Sequence, residues 1–157
     1  MSIEQQFWKA QQKELQRKLE DFEECAETPF VPGELESWLT AAGKAYDELR
    51  PQFQLQTDHI HAEEFAEIAE EDPELLSRVE EMRQEDQELK TLCDDIADRL
   101  KELQRKVEKG ASETDLKQDL EQFVSIGLDF VMRVRKQEVT VRTWLMEAFT
   151  RDRGTVD

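Results

Sequence analysis

Apolar residues return every three or four positions along nearly the whole chain, which is the signature of amphipathic helices with one buried face. The first such stretch covers residues 3–26, with a face of Trp8, Leu15, Leu19 and Phe22 and with Gln12 in the missing step. Thr28-Pro29-Phe30-Val31-Pro32-Gly33 ends it, because two prolines and a glycine do not continue a helix. A second helix begins near Glu34 and carries Leu35, Trp38, Leu39, Ala42, Tyr46, Leu49 and Phe53, with Gln52 and Gln56 on or beside that face. Pro51 is expected to kink it, and the helix is expected to fray near residues 58–61. The acidic stretch 63–72 reads either as a further helical turn or as a connection.

Asp72-Pro73 has the form of a helix start, a capping acid followed by proline at the first helical position. The third helix then runs to about Lys109, where Gly110 is a natural stop. Its seam is Val79, Met82, Leu89, Cys93, Ile96, Leu100, Leu103 and Val107, and Asp86 fills the only gap. Ser112-Glu113-Thr114-Asp115 resembles a capping box for the fourth helix. That helix carries Leu116, Leu120, Phe123, Val124, Phe130, Val131, Val134, Val141, Trp144, Leu145 and Phe149, interrupted by Gln137. The pattern predicts an all-α fold, an antiparallel up-down-up-down four-helix bundle over residues 1–150, with a polar tail at 151–157.

A carboxylate in a buried seam is costly unless it is paired or neutralised, so Asp86 calls for a partner. Counted from the middle of each turn, Gln12 lies about 17 residues before the first turn, and Gln52 to Gln56 lie about 23 to 27 after it, at about 1.5 Å of rise per residue. Asp86 lies about 25 residues before the last turn and Gln137 about 26 after it. These spacings place Gln12, Gln52, Gln56, Asp86 and Gln137 in one layer of the bundle. Amide side chains supply both donors and acceptors, so the layer reads as a buried hydrogen-bond network around Asp86.

Charge and composition narrow the function classes. The chain has 157 residues, with 38 acids against 21 bases and a formal net charge of −17. That balance opposes nucleic-acid phosphates and anionic membrane surfaces. No apolar run approaches the length of a membrane span, and the first residues have no signal-peptide pattern, so a cytoplasmic protein is expected. Cys25 and Cys93 show no zinc spacing, and Cys93 falls on a seam as a small core residue. His59 and His61, the only histidines, fall outside the layer and are expected to be a solvated pair. Arg133, Arg135, Lys136 and Arg142 form a basic island, expected to pair with acids of the third helix; the sharper alternative turns Arg133 or Arg135 inward beside Asp86. No nucleophile–base pair, glycine-rich phosphate loop or positioned histidine marks an enzyme, so no catalytic residue is assigned.

Several runs together resemble the hemerythrin-like (HHE cation-binding) family of four-helix bundles over nearly the full chain. They are Gln11-Gln12-Lys13-Glu14-Leu15, Leu49-Arg50-Pro51-Gln52-Phe53-Gln54-Leu55-Gln56, Glu85-Asp86-Gln87-Glu88-Leu89, and Gln137-Glu138 followed by Val141, Trp144, Leu145, Met146, Glu147 and Ala148. Asp152-Arg153-Gly154 is similar to the ending of a bacterial branch. The resemblance implies a dinuclear iron centre whose ligands would match Gln12, Gln52, Gln56, Asp86, Gln137 and Val141. None of these is His, so the chain reads as a degenerate member without metal ligands or cofactor. The expected function is a non-enzymatic cytoplasmic binding or regulatory module, with an unidentified protein partner or small ligand. Two alternatives are a metal-dependent oxygen-binding, redox or iron-handling protein with an altered ligand set, and a small-ligand pocket in place of the metal site.

Overall fold

The computed structural model describes the backbone of residues 2–156 and the side chains of residues 2–150. It is all-helical, and no strand occurs among the described residues. Helix α1 spans Ile3–Glu27, α2 Leu35–Leu55, α3 His61–Glu71, α4 Leu76–Glu108 and α5 Glu113–Val156. A π-helical segment, Gln56–Ile60, joins α2 to α3 without a break. The chain therefore makes four helical rods among the described residues. The polar tail expected at 151–157 lies outside the residues whose side chains are described.

The ends follow from local chemistry. The Ser2 hydroxyl accepts from Gln5 N at 3.0 Å, and the Gln5 side chain accepts from Ser2 N at 3.1 Å, a reciprocal cap on α1. Asp72 caps a short 3-10 turn, Pro73–Leu75, by accepting from Glu74 N at 3.2 Å. The helix start read at Asp72-Pro73 is thus a 3-10 turn that leads into α4. At the other end of α4, Gly110 has φ 86°, Ala111 N donates to Lys106 O at 3.0 Å, and Gly110 N donates to Val107 O at 3.0 Å. A left-handed glycine that closes the last carbonyls in this way stops the helix sharply. Ser112 and Asp115 cap α5 reciprocally, as their spacing predicts.

One sequence expectation fails around the second rod, and one of two alternatives is decided. It does not fray at 58–61, and the acidic stretch up to Glu71 is helix α3. Pro51 lies inside α2 without ending it. The rod continues through 58–61 because Phe53, Thr57, His61 and Phe65 are buried at strict intervals of four. On a helix of 3.6 residues per turn that series drifts by about 40° per step. The wider π turn absorbs the drift and keeps the residues on one face.

Two apolar cores fill the bundle. The larger holds Leu15, Leu19, Phe22, Tyr46, Leu49, Phe53, Leu89, Ile96, Phe123, Phe130 and Val134. Its aromatic rings pack edge-on, with Phe53 and Phe130 centred 5.1 Å apart. The smaller holds Phe65, Ile68, Leu75, Val79, Met82, Val141 and Ala148. Between the two cores every rod that lines both carries buried polar residues, with Ile60 the apolar exception on the second rod.

Candidate functional site

The boundary between the cores is a buried polar layer of Gln56, Thr57, His61, Asp86, Gln137 and Glu138. The π segment supplies Gln56 and Thr57, α3 begins with His61, α4 gives Asp86, and α5 gives Gln137 and Glu138. His61 is the centre of the layer and is 2% exposed. Its Nδ1 lies 2.7 Å from Asp86 Oδ2 and its Nε2 lies 2.6 Å from Glu138 Oε1, so a carboxylate oxygen waits at each ring nitrogen and favours protons on both. An imidazole ring that donates from both nitrogens is an imidazolium. The ring also stacks on Phe65, centroid to centroid 5.0 Å, at 26° between planes.

The remaining carboxylate oxygens are taken by amides. Gln137 Nε2 donates to Asp86 Oδ1 at 3.2 Å and to Met82 O at 2.8 Å. Gln56 Nε2 donates to Glu138 Oε2 at 2.9 Å. Every oxygen of the two buried acids therefore faces an N–H. Burial opposes a charge on His61, but the hydrogen bonds to Asp86 and Glu138, together with their negative charges, outweigh it and push the ring up to about 10. Burial raises Glu64, which lines the edge of the site, to about 7; Glu138 and Glu67 push it up further, while His61 and Arg142 pull it down.

The sequence positions divide. Gln56, Asp86 and Gln137 meet in the layer. Gln52 is half-buried at the contact with α1, where its Nε2 donates to Gln11 Oε1 at 2.8 Å. Gln12 is half-buried at the rim; with its amide oxygen turned toward Arg142 it accepts from the guanidinium Nε at 3.2 Å. Val141 belongs to the smaller apolar core. His59 is exposed, as expected, but the solvated pair is corrected, because His61 lies at the heart of the layer. The interval of four from Phe53 through Thr57 to Phe65 was the signal that could have located it. Glu138 was visible beside Gln137 but carried no role in the sequence reading.

The basic island makes no inward charge beside Asp86. Arg133 forms a fork with Glu85, both bonds 3.0 Å, and reaches Glu88 at 2.9 Å, on α4. Arg135 turns to α1 and meets Glu23 at 2.6 Å. The cation that accompanies Asp86 is His61. Cys93 is buried beside the Tyr46 hydroxyl, with Sγ to Oη 3.0 Å, and burial raises its thiol; both cysteines are free.

The dinuclear iron implied by the family resemblance does not fit these residues. Five of the six matched positions are amides or valine, which bring no charge against a cation. The sixth, Asp86, has both oxygens engaged by side-chain nitrogens, as does Glu138, and both nitrogens of His61 are taken by carboxylates. A metal would have to displace a compensated set of hydrogen bonds to reach any of them.

One polar atom of the layer remains open. Gln56 Oε1 is buried and has no hydrogen-bond partner. Gln56 also lines a side pocket of about 190 Å³ between α1, the π segment, α3 and α5. Comparison with protein-family models, curated proteins and solved structures gives no match for this chain.

Proposed function

We propose that the protein is an antiparallel four-helix bundle of the hemerythrin-like kind that works without a metal centre, as a non-enzymatic binding or regulatory module of the cytoplasm. The observation that carries this reading is the pair of bonds from His61 to Asp86 and Glu138. A protonated side chain between two buried acids offsets part of their charge, and this supports a reading without a metal. The cross-rod contacts support the antiparallel course. Lys18 meets Glu48 at 3.1 Å while Gln52 reaches back to Gln11, and Lys106 meets Asp119 at 2.8 Å while Arg133 reaches back to Glu85. No helix among the described residues is long and apolar enough to cross a membrane.

The test is metal content and its effect on stability. Protein expressed in medium rich in iron and manganese is purified without chelator and measured by elemental analysis and absorption spectroscopy. The expected result is far less than one metal per chain and a melting temperature that a strong chelator leaves unchanged. Stoichiometric iron with a visible charge-transfer band, lost together with stability on chelation, would overturn the reading in favour of an oxygen-binding or redox protein.

A further inference from the structure

The side pocket next to the layer has two chemically distinct ends. Its buried polar lining offers acceptors: Gln56 Oε1 has no donor, and the carboxyl groups of Glu64 and Glu138 line the same pocket. A buried amide oxygen without a partner loses the free energy of a missing hydrogen bond, on the order of 1–3 kcal/mol, and a bound donor recovers it. Three acceptors match the three donors of a primary ammonium, and a carboxylate oxygen already bonded once retains a second lone pair. Among the exposed lining residues the sign reverses: Lys9 and Arg142 are cations there, and Arg142 also meets Gln12. Trp8, Ile60, Val141 and Leu145 add apolar lining.

We propose that this pocket binds a free α-amino acid with an apolar side chain, its ammonium held by Gln56, Glu64 and Glu138 and its carboxylate by Arg142. Pocket size agrees with this ligand class. About 190 Å³ is below the range of roughly 300–1,000 Å³ usual for drug-sized ligands, and so excludes nucleotides and large cofactors. The order of charges selects a zwitterion over a simple amine or acid, because each alone leaves one end of the pocket uncompensated. The proposal rests on the binding-module reading above, and it is separable from it: a metal-free protein that binds no amino acid overturns this inference alone.

The experiment is titration calorimetry, with amide chemical-shift mapping, using three probes of one shape. L-leucine carries both charges, isoamylamine lacks the carboxylate, and 4-methylpentanoate lacks the ammonium. Leucine is expected to bind, and each analogue to bind at least about tenfold more weakly, about 1.4 kcal/mol. Shifts should cluster on residues 56–64 and 138–145. Arg142→Ala, a surface change, should weaken leucine about tenfold without weakening isoamylamine. Gln56→Leu should weaken both; if that variant does not fold, Glu64→Gln replaces it with the same expectation. Absence of any leucine signal at millimolar concentration overturns the proposal and leaves water as the partner of Gln56. Equal binding of the three probes, or leucine binding indifferent to Arg142→Ala, overturns it as well.

Discussion

His61 and Asp86 are joined by a 2.7 Å hydrogen bond across 25 positions of sequence, and each is nearly inaccessible to solvent. Removal of either leaves the other buried without its partner. His61→Leu brings Asp86 and Glu138 together with no cation between them, and should lower stability by about 3–5 kcal/mol. Asp86→Leu should also be costly, because it removes the carboxylate that faces Nδ1 of His61. Urea unfolding of the two variants and the double variant measures their coupling. A loss below about 1 kcal/mol for His61→Leu would show that the clamp is not formed in solution.

The same pair sets the dependence on pH. The His61 ring titrates near 10 in the folded chain against 6.5 when unfolded, so its contribution is fully present below about 6.5 and is lost as pH rises through 10. Glu64 acts in the same direction at lower pH. Its folded value of about 7 exceeds its unfolded 4.5, so its neutral form favours folding below 4.5 and that contribution is lost as pH rises through 7. Stability should therefore decline from pH 5 to pH 10. Denaturant midpoints across that range check this, and Glu64→Gln should remove the acidic part of the decline. A flat profile would contradict both assignments.

Arg133 offers a contrast with His61. Its fork to Glu85 and its bond to Glu88 are made at a partly exposed edge. Arg133→Met should cost about 1 kcal/mol or less, and the cost should shrink in high salt. Thermal melts at two ionic strengths, with His61→Leu as reference, distinguish a screened surface pair from a buried one.

Two helical glycines should respond oppositely to added methyl groups. A Cβ at Gly127 would stand 3.0 Å from Cζ of Phe22, a ring locked against Tyr46 and Phe123. Gly127→Val should therefore destabilise by about 1–3 kcal/mol. A Cβ at Gly43 meets the end of the Gln104 side chain at 3.0 Å, and that side chain can move aside. Gly43→Ala should be neutral or stabilising by up to about 1 kcal/mol through helix propensity. Chemical denaturation of both variants decides the pair.

Helix content, the turn at Gly110, the caps at Ser112 and Asp115 and the core positions of α4 and α5 are legible in the chain, because each depends on neighbours within a few residues. The polar interruptions at Gln56, Asp86 and Gln137 are legible for the same reason: a polar residue in an apolar series stands out whatever it touches. What Asp86 touches is not local. His61 reads as a surface residue as long as the second helix is taken with 3.6 residues per turn, and only a π turn, favoured by packing on α4 and α5, carries it inward. The partial compensation of charge in the layer likewise depends on three side chains from three helices meeting within hydrogen-bond distance. Local periodicity determined which positions are buried, and tertiary packing decided which of them are partners, because the energy of a buried charge depends on what lies within a few ångströms of it in space and not along the chain.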